Sequence, residues 1–181
     1  MTRIPSITDR SAVPLAAYPA FDAITASRGS VRGPFAVLMH SPEVAARVAH
    51  LGTFVRFESS LATKVKELAV ITAVRESECA YEWGTHVVSG REAGISDTTI
   101  EAVRQKAPLS TFPVEEQLYV RYAREMVRDH KVSDEAFAPV HAALGDAGIA
   151  ELTVAIGYYA LLACVLNTFE VQPLPGAATM L

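Results

Sequence analysis

Four residues in one stretch of the chain have side chains that could transfer protons: Glu67, Cys79, Glu82 and His86. An imidazole beside a carboxylate is held in one orientation and becomes more basic. A second carboxylate in a half-apolar cavity can have a raised pKa and act as an acid. The combination suits proton abstraction beside a carbonyl, protonation of an enolate, or decarboxylation through an enolate. We expect this chemistry to need no metal and no organic cofactor.

The spacing of these residues brings them together if they lie on helices. At about 100° per residue, Cys79, Glu82 and His86 fall within roughly 60° of arc on one helix face. Glu67 lies about ten residues before a break at 77–78, and His86 lies about eight residues after it. If the two helices pack antiparallel, Glu67 comes level with His86. Two carboxylates, an imidazole and a thiol would then meet in one pocket.

Helix start and stop signals recur along the chain. Ser41, Pro42 and Glu43 combine a side-chain cap, a proline at the first helical position and an acid in the first turn. Ser59 or Ser60 is expected to cap the next helix. No segment alternates apolar and polar residues as a strand would, so we predict an all-α bundle of about six to eight helices. The predicted helices span about residues 20–27, 41–57, 60–77, 79–94, 96–107, 113–130, 133–145 and 149–169.

Prolines divide the chain into three parts. Residues 1–33 are expected to form an extended arm with one short helix, because prolines interrupt them. Residues 34–171 are expected to form a helical domain, and residues 172–181 a C-terminal tail. The interrupting prolines are Pro5, Pro14 and Pro19 in the arm and Pro173 and Pro175 in the tail.

Composition narrows the class of protein. Half of the 181 residues are hydrophobic and 20% are charged, which is typical of one globular domain. The net charge is −4, and this disfavours nucleic acid and anionic membranes as partners.

Cys79 and Cys164 form no CxxC pair, so we expect neither a disulfide framework nor a zinc site, and a cytoplasmic location fits best. The apolar run 152–166 is shorter than the about 20 residues that span a membrane, so we interpret it as a core or interface helix, with Cys164 as a core residue.

The chemistry-bearing residues also resemble a known family. Glu67, Cys79, Glu82 and His86 match the spacing E-x11-C-x2-[C/E]-x3-H of the carboxymuconolactone decarboxylase and alkylhydroperoxidase D-like superfamily. The segment Gly33 to Val44, GPFAVLMHSPEV, is similar to the other recurrent segment of that family. The resemblance implies an all-helical bundle, usually assembled as a homo-oligomer (a trimer or hexamer), with the pocket near a subunit interface.

Two branches of this family use different chemistry. The peroxidase branch uses a CxxC thiol pair, but this chain has Glu82 at the position of the second cysteine. A dithiol cycle within one chain needs that second sulfur. The decarboxylase branch has a Glu-Trp pair followed by a histidine, which Glu82, Trp83 and His86 resemble.

We therefore expect a cofactor-free lyase or isomerase acting on a small carboxylated or lactone-like substrate. His86 would be the general base or acid, with Glu82 as its proton partner. Glu67 would orient the ring or relay a proton, and Cys79 would line the pocket or assist. One alternative is a thiol-dependent peroxidase that uses Cys79 with an external thiol. Another is a non-catalytic, oligomeric ligand-binding protein.

Some candidates also have plain structural interpretations. Glu67 could be an ion-pair partner of Arg75, of Lys64 or of an arginine from another helix, and Tyr81 and Trp83 could be core residues. The residues predicted to bind substrate are Tyr81, Trp83, His40 and Phe35.

Overall fold

The structure is a computed structural model and describes residues 2–180. Within that range it contains eight α-helices and no strand, as the sequence predicted. A π-helical segment, Phe54–Glu58, continues the third helix. The α-helices are α1 Tyr18–Arg28, α2 Pro34–Leu38, α3 Pro42–Thr53, α4 Thr63–Glu76, α5 Ala80–Glu92, α6 Asp97–Arg104, α7 Val114–Arg128 and α8 Asp134–Thr168.

The chain divides into two compact units. The first comprises Met1–Ser59 and Cys164–Gln172, and the second comprises Ser60–Ala163 and Pro173–Leu181. The four residues with candidate chemistry all belong to the second unit.

The first unit buries an apolar cluster of its own. Residues 1–33, expected as an extended arm, contribute α1 and several side chains to this cluster. The physical reason is their spacing: Ala17, Phe21 and Ile24 recur at intervals of three and four residues, which places them on one helical face. That face packs against side chains from the following helices: Phe35, Met39, Ala45 and Ala49.

Helix α4 lies at the centre of the second unit. Every residue from Lys66 to Arg75 is buried, because the sequence of α4 is apolar on all sides between residues 68 and 74. Helices α5 and α7 pack against α4. Glu67 is therefore a carboxylate in the interior, which is costly unless a partner receives it.

The start of α4 differs from the prediction. The helix begins at Thr63 without a side-chain cap, so the expectation that Ser59 or Ser60 caps it was wrong. The backbone N–H of Ser60 donates instead to the carboxylate of Glu151 at 2.8 Å, a contact 91 residues away in sequence. Ser41 likewise precedes α3 but makes no cap hydrogen bond.

A short turn joins α4 to α5 and fixes the register of the two helices. Glu78 in this turn has φ +51°, in the left-handed region that favours glycine. Its carboxylate pairs with Lys106 and with Arg75, and the guanidinium of Arg75 lies 2.6 Å away. The hydrogen bond from Lys106, followed by the charge of Arg75, holds the pKa of Glu78 below its ordinary value. These ion pairs stabilise the turn and so the spacing between the helices.

Helix α8 is long and contains a break at Gly145, where φ is +66°. By length and composition alone, α8 could cross a membrane. Half of its most apolar 18-residue window is buried inside the protein, and the core helices of soluble proteins have the same length and composition. Cys164, expected as a core residue, is exposed. It lies on the same face of α8 as Val154 and Leu161, which are also exposed, since these positions are spaced by seven and three residues.

Candidate active site

The centre of the site is the imidazole of His86 on α5. Its Nδ1 lies 2.7 Å from Oε2 of Glu67 on α4. Its Nε2 lies 3.5 Å from Oε2 of Glu82, one turn earlier on α5. All three side chains are buried. The expectation that antiparallel packing brings Glu67 level with His86 is confirmed.

The two carboxylates determine the charge of His86. Burial alone would lower the pKa of the imidazole, because a charged ring loses its hydration. The hydrogen bond with Glu67 and the interaction with Glu82 together outweigh burial and raise the pKa of His86 to about 9. At neutral pH the ring is therefore an imidazolium that can donate from both nitrogens.

The two contacts of the ring are not equivalent. The distance to Glu67 is that of a charge-assisted hydrogen bond, whereas 3.5 Å to Glu82 is longer than such bonds. Glu67 therefore fixes the orientation of the ring. The Nε2–H of His86 keeps the capacity to donate to another molecule, and the Glu82 carboxylate can accept a proton beside it.

Glu67 does not form an ion pair with Arg75 or Lys64, as the structural interpretation of this residue expected. The Arg75 guanidinium binds the carbonyl of Arg104 at 2.6 Å and the carboxylate of Glu78. Lys64 binds Glu116 at 2.9 Å. Arg75 and Lys64 thus pair with other groups, and the partner of Glu67 is His86.

Sequence reasoning missed the aromatic side of the site. The ring of Tyr159 on α8 lies edge-on to His86, with 4.4 Å between the ring centroids and 75° between the planes. Tyr158 lies edge-on to Tyr159 at 5.2 Å. Two adjacent tyrosines in the middle of an apolar helix were the available signal, because a buried phenol usually needs a polar partner.

Cys79 occupies the N-cap position of α5 and is fully buried. Its backbone N–H donates to the carbonyl of Val74 at 2.9 Å, and its carbonyl accepts from Trp83. The structure thus places the thiol just before the first turn of the helix that carries Glu82 and His86. Among residues 2–180 no group of three histidine, cysteine or acidic side chains is arranged to hold a metal ion.

The other predicted residues have defined surroundings. Tyr81 and Trp83 are buried on α5, and the Trp83 indole donates to the carbonyl of Thr179 in the C-terminal tail at 3.1 Å. Phe35 and His40 lie in the first unit. The guanidinium of Arg28 covers the Phe35 ring at 4.5 Å, and His40 Nε2 donates to the carbonyl of Pro5 at 2.8 Å. Substrate binding by these four residues remains a prediction.

Known proteins resemble this chain in sequence and in fold. Residues 42–125, a little under half of the chain, match the model of the Carboxymuconolactone decarboxylase family. The matched segment contains Glu67, Cys79, Glu82 and His86. No curated protein matches the sequence.

Two solved structures share the fold. One is an uncharacterized peroxidase-related protein from Ralstonia eutropha, described as an alkylhydroperoxidase AhpD core, with a TM-score of 0.74 and 17% identity over 96% of this chain and 93% of that chain. The other is a protein of unknown function from Agrobacterium tumefaciens, provisionally assigned as an antioxidant defence protein AhpD. It has a TM-score of 0.67 and 22% identity over 79% of this chain and 99% of that chain.

Proposed function

We propose that the protein is an acid–base lyase or isomerase acting on a small carboxylated or lactone-like substrate, and that its own side chains supply the chemistry. The observation that carries this proposal is the buried His86 ring between Glu67 and Glu82, at 2.7 Å and 3.5 Å. The carboxymuconolactone decarboxylase family match supports the decarboxylase-like assignment.

In an isomerisation, Glu82 removes a proton from the carbon beside the substrate carbonyl. The C–H electron pair moves into the carbonyl, and the Nε2–H of His86 stabilises the enolate oxygen. Protonation at the new carbon by His86 leaves a neutral imidazole and a protonated Glu82. Transfer of that proton from Glu82 to Nε2, across the short distance between them, restores the starting state.

In a decarboxylation, the bond between the substrate carbon and its carboxylate breaks, and the electron pair forms an enolate as carbon dioxide leaves. His86 donates its Nε2 proton to the enolate carbon. A solvent proton then reaches Nε2 of His86 through Glu82, so the complete reaction consumes one proton for each carbon dioxide released. Glu67 keeps the ring oriented in both reactions.

The test uses a panel of lactone carboxylates and β-keto acids, with release of carbon dioxide and deuterium incorporation from D₂O as readouts. We expect His86→Ala and Glu82→Gln to reduce kcat by roughly 10²–10⁴-fold without unfolding the protein. Glu92→Gln, an exposed carboxylate on the same helix, is the matched control and should retain full activity. Ligand-induced stabilisation without any product would favour a non-catalytic binding protein instead.

A thiol-dependent peroxidase is the second candidate, because the solved structures that share the fold carry AhpD names. The Cys79 thiolate would attack the peroxide O–O bond, form a sulfenic acid and release water or an alcohol. An external thiol would then reduce the sulfenic acid through a mixed disulfide. Complete burial of Cys79 and the carboxylate at position 82 argue against this cycle.

Peroxide treatment of a Cys164→Ser variant, followed by mass spectrometry, separates the two candidates. The substitution removes the exposed thiol, so any oxidation of cysteine reports Cys79. An unreactive Cys79, with decarboxylation surviving in Cys79→Ser, favours the acid–base reaction. Fast and selective oxidation of Cys79 favours the peroxidase.

A further inference from the structure

A groove of about 590 Å³ runs along α3 and the π-helical segment in the first unit. Its walls all come from this one continuous helical stretch: Glu43, Ala46, Arg47, His50, Leu51, Phe54 and Glu58. Leu51 and Phe54 are 39% and 36% exposed, and the neighbouring Phe57 is 60% exposed. An exposed apolar strip with a charged rim is typical of an interaction surface.

We propose that this groove, which we call the α3 groove, is a two-fold interface occupied by the α3 groove of a second copy of the chain. A two-fold axis near residues 52–53 places the two helices antiparallel. Residue 51 of one copy then lies level with residue 54 of the other, and residue 47 lies level with residue 58. Leu51 packs against the partner's Phe54 at the centre, and Arg47 pairs with the partner's Glu58 at each end.

The charges along the groove favour an antiparallel second copy over a parallel one, and over nucleic acid or a membrane. Parallel helices in register would place Arg47 against Arg47 and Glu58 against Glu58, and like charges at close range oppose association. The rim carries two carboxylates, Glu43 and Glu58, and one guanidinium, so it does not attract nucleic acid or an anionic membrane. A second copy gives each Arg47 one carboxylate across the axis, that of the partner's Glu58.

Arg47 can change partners at little cost. In the single chain its guanidinium lies 2.6 Å from Glu43, and both side chains are at least 75% exposed. An exposed pair separated by four residues on a helix contributes little to stability. The intermolecular pair with Glu58 lies beside the buried Leu51–Phe54 contact, where screening by solvent is weaker.

The experiment measures the mass of the assembly by sedimentation velocity and light scattering at several protein concentrations. We expect wild-type protein to be a dimer or a larger assembly with an even number of subunits. Arg47→Glu and Glu58→Arg should each raise the dissociation constant of this contact roughly tenfold or more. Leu51→Asp should halve the assembly, from dimer to monomer or from hexamer to trimer.

The decisive control is the charge swap Arg47→Glu combined with Glu58→Arg. It recreates both pairs with reversed polarity, so assembly should return towards the wild-type state, which a folding defect would not allow. Arg56→Glu, an exposed charge outside the walls of the groove, should leave assembly unchanged. A monomeric wild type, an assembly that ignores Leu51→Asp, or a swap that fails to restore association would each overturn the proposal.

Discussion

The Nδ1 of His86 and the Oε2 of Glu67 lie 2.7 Å apart although 19 residues separate them in sequence. The contact joins α5 to α4 in the interior of the second unit. It links the protonation of one ring to the packing of two helices.

The stability of the protein should fall as the pH rises from about 6.5 to about 9. The folded-state pKa of His86 is raised from 6.5 to about 9, so the folded state binds more protons in this window. The stabilisation is complete below pH 6.5 and is lost as the pH passes through the folded-state value. Urea denaturation at several pH values should show a loss on the order of 1–3 kcal/mol. A His86→Gln variant should lack this pH-dependent loss of stability. If the free energy of unfolding of the variant falls with pH as steeply as that of the wild type, other groups cause the loss.

Glu67→Gln should lower the pKa of His86. The amide keeps the shape of the side chain and removes the charge that favours the imidazolium, while burial of the ring persists and opposes it. NMR titration of the imidazole should show wild-type titration near pH 9 and a clearly lower midpoint in the variant. Glu116→Gln, another buried carboxylate on a different helix, serves as the control. An unchanged midpoint in Glu67→Gln would show that the contact with Glu67 does not raise the pKa of His86.

Tyr159 should position the His86 ring. Tyr159→Leu removes the edge-on aromatic contact at 4.4 Å, whose contribution is about 0.5–1.5 kcal/mol. We expect a shifted His86 midpoint in NMR titration and a lower kcat with little change in KM. Tyr159→Phe keeps the ring and should behave like wild type in the titration. Equal shifts in both variants would assign the effect to the hydroxyl rather than to the ring.

Gly84→Ala should destabilise the protein. A Cβ at residue 84 would lie 2.7 Å from the Cβ of Ala177 in the C-terminal tail, and such overpacking costs about 1–3 kcal/mol. Gly90→Ala, on the same helix, meets only the flexible end of Ile95 at 3.3 Å. The gain of about 1 kcal/mol in helix propensity should therefore dominate there. Ala177→Gly should rescue Gly84→Ala, and failure of that rescue in urea denaturation would contradict the packing explanation.

Local signals in the sequence predicted the helices and the core of the site. Ser96 caps α6 by accepting from the N–H of Thr99, and Gly94 after α5 adopts the left-handed conformation that favours glycine. The spacing of Glu82 and His86 on one helix, with Glu67 on the helix before, was sufficient to predict the triad. These features depend on helix periodicity and on short-range capping, which a sequence displays directly.

The features that were missed depend on contacts between distant parts of the chain. Ser60 binds Glu151 rather than capping α4, and nothing near Ser60 in sequence indicates that partner. Tyr159 reaches His86 from 73 residues away, within a run that looked uniformly apolar. The short helix predicted at residues 20–27 is present as α1, but the prolines of residues 1–33 suggested an extended arm around it, and the burial of Phe21 and Ile24 in a core was not predicted.

The contact between Trp83 and Thr179 gives the protein a built-in fluorescent reporter. Trp83 is the only tryptophan in the sequence, it is buried, and its indole N–H donates to the carbonyl of Thr179. Release of the tail would expose the indole to water and move its emission to longer wavelength. An emission spectrum therefore reports whether a preparation keeps the native packing around the helix that carries Glu82 and His86.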